Sequence, residues 1–175
     1  MSLGPSDQRL LRVSESKKQE LNAFKAGVHL EHASGRSIDD LLAQASADRL
    51  RLAEASLRDA DRAMRSRPPM RRVAVGRYYY AMYHAIRSVV FFRTPGDDHE
   101  QHSELPGRMP ADFPRADHWK NELKDARLRR NEADYDPYPV FDVSFRDPAS
   151  HLKVEARVLV TEARNYLHTK GCAHL

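Results

Sequence analysis

One arginine interrupts an otherwise apolar helical stripe. Wound at 3.6 residues per turn, Trp119, Leu123, Ala126, Arg130 and Ala133 fall on one side of a cylinder, while Lys120, Lys124, Arg127 and Asn131 turn away from it. A guanidinium facing a core cannot shed its charge, so it needs a carboxylate, a set of carbonyls or a phosphate to offset its lost hydration. What Arg130 faces is therefore the first question that this chain raises.

The rest of the pattern is helical too. Glycine is scarce at 7 of 175 residues, charged residues make up 31%, and runs rich in Ala, Leu, Arg and Glu favour helices over a sheet. Ser37 with Asp40 three residues on has the form of a helix N-cap, and Leu42, Leu50, Ala53, Leu57, Ala60 and Met64 keep an inner face until Arg67-Pro68-Pro69 stops it. A second long helix spans about 71–92, with Tyr79, Met82, Tyr83, Ile86, Val89 and Val90 at three- and four-residue steps, and Thr94-Pro95-Gly96 ends it. Its apolar density predicts the central helix.

The stretch 99–117 holds three prolines and a glycine and reads as a loop with at most a short helical turn near Leu105. The arginine-bearing helix follows, ending near Ala133. Pro137, Pro139 and four aromatics then predict an ordered crossover strapped against the bundle between Tyr135 and Phe145. Asp147-Pro148 resembles a cap before a last helix with Leu152, Ala156, Leu159, Val160, Ala163, Tyr166 and Leu167 inward. The expected fold is all-α, an antiparallel up-and-down bundle of four long helices with an extra N-terminal helix whose short stripe is Leu21, Phe24 and Val28. We expect a partly helical extension at 1–36, the bundle at 37–170 and a tail at 171–175.

Charge and cysteine usage bound the function. The 29 Lys and Arg outnumber 25 Asp and Glu, for a net charge of +4, with basic residues crowded around 58–93 and 115–130. This excess is compatible with a nucleic-acid partner and equally with a solubilising face. A lone Cys172 forms no intrachain disulfide and builds no multi-cysteine zinc site, which fits a reducing cytoplasm. No apolar run approaches the ~20 residues that cross a bilayer, and the N-terminus lacks a signal-peptide pattern. No membrane association is expected.

His99-Glu100-Gln101-His102 is not the His-Glu-x-x-His zinc helix and lacks a third ligand, so no metal and no cofactor is expected. Asp97-Asp98, and Asp134 with Asp136, read as loop carboxylates and caps. Neither a phosphate-cradling glycine loop nor a nucleophile elbow is present. Two features remain. Arg77, Tyr80, His84 and Arg87 line one edge of the second long helix at steps of three and four, where they are either an amphipathic edge or a functional row. Arg130-Asn131-Glu132-Ala133-Asp134-Tyr135 is either a structural lock, with Arg130 paired to Asp134 or Glu132, or half of a site. Brought into one cleft, the two would offer cations for phosphate, donors for an oxyanion and ring faces for bases.

The run Arg77-Tyr78-Tyr79-Tyr80-Ala81-Met82-Tyr83-His84-Ala85-Ile86-Arg87, a loop with His102, and then Arg127-x-x-Arg130-Asn131-x-Ala133-Asp134-Tyr135 closely resembles the HEPN superfamily, over about residues 40–168. The resemblance implies a helical bundle, often a homodimer, tied to RNA binding, RNA cleavage or a partner nucleotidyltransferase in toxin–antitoxin-type systems. Catalytic members carry Arg, a polar residue, and then His after four to six intervening positions. Here Arg130-Asn131 fits, but those positions hold Tyr135, Asp136 and Pro137. Metal-free RNA cleavage needs an acid and a base near neutrality, which histidine supplies and tyrosine, with a free pKa near 10, does not.

The expected function is thus a non-catalytic RNA- or partner-binding module presenting Arg77, Tyr80, His84, Arg87, Arg130, Asn131 and Asp134. One rival is a metal-independent endoribonuclease using Arg130, Tyr135 and His84. The other is a scaffold built around a buried Arg130 salt bridge. Leu128, opposite Trp119, is a candidate homodimer contact.

Overall fold

The computed structural model describes residues 5–96 and 102–175. Among these residues six helices run in order: α1 Pro5–Glu15, α2 Lys18–Ser34, α3 Ile38–Arg65, α4 Arg71–Arg93, α5 Ala116–Tyr135 and α6 Arg146–Thr169. Short 3₁₀ turns stand at Leu105–Arg108 and Asp142–Phe145, and no strand occurs among the described residues. The fold is all-α, as expected. No helix among those residues is long and apolar enough to cross a membrane.

Two compact units divide between Leu41 and Leu42. In the first, the expected single N-terminal helix is two. The chain breaks at Ser16-Lys17, where the Lys17 amide donates to Glu20 Oε2 at 2.9 Å and starts α2 anew. Gly35, in the left-handed region at φ 66°, ends α2, and its amide returns to the Glu31 carbonyl at 2.8 Å. Ser37 then caps α3 as predicted, its hydroxyl accepting the Asp40 amide at 3.2 Å.

The second unit is the bundle, and its cross-helix pairs give each helix its direction. Between α3 and α4, the Ser88 hydroxyl donates to the Ser46 carbonyl at 2.6 Å and the Tyr78 hydroxyl to Asp61 Oδ1 at 2.7 Å, so the two run antiparallel. Between α5 and α6, His118 pairs with Glu155 at 3.5 Å and His151 with Glu122 at 3.0 Å, again antiparallel. Arg164 reaches Glu54 and Arg157 reaches Asp61, tying α6 to α3 in the same sense. The helices alternate up and down.

The central position of α4 follows from its sequence. Ala74, Val75, Tyr78, Tyr79, Ala81, Met82, Ala85, Ile86 and Val89 are all sealed from solvent, because small residues alternate with large ones and let neighbours approach from several sides. Of the α3 stripe, Leu50, Ala53 and Ala60 are buried and Leu57 and Met64 pack at the rim, while all seven predicted α6 residues are buried. That helix begins one residue before Asp147, directly out of a 3₁₀ turn, so Phe145 takes the cap position predicted for Asp147.

Trp119 on α5 is fully buried and donates Nε1–H to Glu162 Oε2 at 2.6 Å. Residues 171–175 fold back onto the bundle. Cys172 is buried with its thiol 3.5 Å from the Ala43 carbonyl, and Leu175 packs at the rim of the core.

Candidate functional site

A glycine stands at the α4–α5 contact. Gly76 lets α5 come so close that a Cβ at this position would stand 3.3 Å from Asp134 Oδ1. One turn along, Tyr80 of α4 faces Arg130 of α5, and this pair organises the site. The Arg130 Nη2 donates to the Tyr80 hydroxyl at 2.6 Å, Nη1 donates to Asn131 Oδ1 at 3.1 Å, and Nε lies 2.8 Å from Asp134 Oδ2. That last contact is an ion pair whose angle falls outside hydrogen-bond geometry, leaving Nε buried without a hydrogen bond. The Arg130 side chain is 17% exposed. Burial works against its charge, but the Tyr80 hydrogen bond with Tyr80, Asp134 and Tyr135 nearby holds its pKa above the ordinary value.

Tyrosine rings surround the cation. The guanidinium carbon lies 5.4 Å from the Tyr80 ring centre, 6.0 Å from Tyr79 and 5.1 Å from Tyr135. The Tyr80 ring in turn is 6.1 Å from His84 and 6.4 Å from His102. Tyr80 is thus the hub that joins Arg130 to two imidazoles.

His102 is the group that sequence reasoning placed least well, weighed only as a metal ligand and as a loop residue of the family pattern. Its ring stacks on Tyr83 at 4.1 Å and 11°, and its Nδ1 shares a 2.8 Å hydrogen bond with the Tyr79 hydroxyl. Burial and the positive charges of Arg130, Arg127 and Arg87 depress its pKa below the ordinary histidine value. His84 is shifted the same way, to about 4, by burial and then by Arg87, His102 and Arg49. Its Nδ1 is buried with no hydrogen-bond partner among the described residues. Both imidazoles are neutral at pH 7 and lie within reach of several arginine charges.

The structure therefore brings together Tyr80, His84, Arg87, Arg130, Asn131, Asp134 and the ring of Tyr135, and adds Tyr79, Tyr83, His102 and Arg127. Arg77 is exposed and lines a different depression, with Asp59, Arg62, Ser66 and Met70 at the end of α3. The expected row is thereby split after its first member. Tyr79 and Tyr83 were legible only as core. Their four-residue step beside Tyr80 is the signal that they also face the site. His102 was marked only as the loop residue of the family resemblance, since a proline-rich loop carries no periodicity to place it.

Among the described residues no three of His, Cys, Asp and Glu converge on a metal position. His99, Glu100 and Gln101, with Asp97 and Asp98, lie outside those residues. Comparisons with protein-family models, with curated proteins and with solved structures find no match for the chain.

Proposed function

We propose that the chain is an RNA-binding module of the HEPN type that works without catalysis. The observation that carries this reading is the hub at Tyr80, through which Arg130, His84 and His102 share one face with Arg87 and Arg127. Fixed guanidinium groups suit phosphate, and neutral imidazole and phenol rings beside them suit bases and sugar hydroxyls. At the end of α5 and just beyond it, Tyr135, Asp136 and Pro137 fill the positions where an acid–base histidine would stand, which supports binding over cleavage. The resemblance adds a homodimer, in which Leu128, 59% exposed, is a candidate contact, and a nucleotidyltransferase partner in a cytoplasmic toxin–antitoxin-type pair.

A second reading, the metal-independent endoribonuclease, is favoured by one observation. His102 brings near Arg130 an imidazole that the positions after Arg130-Asn131 do not supply, with its Nδ1 hydrogen-bonded to the Tyr79 hydroxyl. The scaffold reading draws on the Arg130–Asp134 ion pair, which occupies the cation from within the fold.

Incubation with total RNA without metal, beside a filter-binding assay on the parent and Arg130→Ala proteins, separates the three. Binding that weakens steeply with salt, without cleavage, is the expected result. Cleavage lost in Arg130→Ala would overturn the non-catalytic reading, and neither binding nor cleavage, with a destabilised variant, would leave the scaffold.

A further inference from the structure

The connection between α5 and α6 is anchored at several points and buries Phe145, yet it turns Tyr138 and Phe141 outward. Arg72, at the start of α4, donates Nη1–H to the Ala133 carbonyl at 3.0 Å and to the Asp136 carbonyl at 2.8 Å, and Nη2–H to the Pro139 carbonyl at 2.7 Å. Its guanidinium also lies 4.5 Å from the Phe145 ring centre. Asp142 accepts the backbone amides of Arg71 at 3.0 Å and Arg72 at 2.9 Å and pairs with the Arg71 side chain at 3.2 Å. Despite these anchors at both ends, Tyr135 is 69%, Tyr138 75% and Phe141 74% exposed.

A loose loop would expose rings by default, but this one is fixed with them facing solvent. The cost of ordering has already been met by the fold, as a recognition surface requires. The first ring, Tyr135, touches the Arg130 guanidinium, so the aromatic surface is continuous with the basic site. Of the carboxylates along the strap, Asp134 is paired with Arg130 and Asp142 with Arg71 and two amides, which offsets their repulsion of a polyanion, while Asp136 stands exposed between Tyr135 and Tyr138.

We infer that this strap is a base-stacking platform, on which a single RNA strand, its phosphates held near Arg130 and Arg127, lays successive unpaired bases against Tyr135, Tyr138 and Phe141. The inference rests on the RNA-binding reading and sharpens it to single strands. Rings that stack on base faces need those faces free, which a duplex denies.

The test is fluorescence anisotropy with a labelled short RNA of mixed sequence, free or annealed to its complement, on the full chain. The parent is expected to prefer the single strand. Tyr138→Ala with Phe141→Ala should weaken that binding by about 30-fold or more with the thermal midpoint unchanged, whereas Tyr138→Phe with Phe141→Tyr should retain it. Equal affinity for the duplex, or full binding after both rings are removed, would overturn the platform while leaving RNA binding intact. A parent that binds neither RNA overturns both. Loss of a dimer in the double alanine variant with unchanged RNA affinity would assign the patch to a second copy of the chain and also overturn the platform.

Discussion

The Tyr80 hydroxyl accepts a hydrogen bond from Arg130 at 2.6 Å, and this contact joins the central helix to the helix that carries the cation. A charge-assisted bond of this kind contributes about 1.5–3 kcal/mol when shielded from water. Tyr80→Phe keeps the ring and removes the acceptor. It should lower stability by about 1–2 kcal/mol, read as a fall in thermal midpoint of roughly 2–8 °C for a chain of this size. An unchanged midpoint would mean that water replaces the hydroxyl at no cost.

Gly76 tests how closely α4 and α5 must approach. Alanine gains about 1 kcal/mol of helix propensity over glycine, and its methyl would ask Asp134 to give by only a few tenths of an ångström. Gly76→Ala should stay within about 1 kcal/mol of the parent, while the bulkier Gly76→Val should cost at least about 2 kcal/mol by forcing the helices apart. Equal denaturant midpoints for the two variants would show that the contact is not tight.

Acid should destabilise the fold in two stages. His84 has a folded pKa of about 4 against an ordinary 6.5, so between these values the unfolded chain binds more protons and stability falls as pH falls. Burial pushes the Asp61 carboxyl upward, but the Tyr78 hydroxyl and Arg157 outweigh it, and Asp61 is held below 3.8. Its contribution is present above 3.8 and is lost as pH drops through the depressed folded value. Urea midpoints from pH 8 to 2 should show both declines. His84→Gln should remove much of the first, on the order of 1–2 kcal/mol after solvent screening, and leave the second. Identical profiles for parent and variant would contradict this.

Arg72→Met should free the strap without unfolding the bundle. Three carbonyls lose their donor, so the amides of Asp136, Tyr138, Val140 and Phe141 should exchange with deuterium faster while the buried face of α4 stays protected. Unaltered exchange at the strap would show that Asp142 alone holds it.

Much of this architecture was written in the sequence at the level of periodicity. The sealed stripe of α6, the core of α4, the cap at Ser37 and the stop at Arg67-Pro68-Pro69 rest on spacing and local chemistry that do not depend on distant partners. The inward position of Arg130 followed from the same count, but its partner Tyr80 lies fifty residues away, and only packing chooses which edge of α4 meets α5.

The losses have physical causes as well. A step of three or four residues places Arg77 in line with Tyr80, yet a stripe several turns long spans more than one neighbour, so its first member faces the end of α3. The pattern predicts one N-terminal helix where two occur, because Ser16 and Lys17 are weak breakers and the Glu20 side chain that restarts the helix is a detail of one turn. His102 reaches the site along a loop without periodicity, where a chain offers no register to count.

The buried Cys172 has a use of its own. Burial raises its thiol pKa, and its sulfur sits against the Ala43 carbonyl at the start of the bundle. A chain with one thiol that is shut away when folded carries its own clock for opening. The rate at which a thiol reagent labels Cys172 counts how often the last residues lift from α3, with no probe added to the protein.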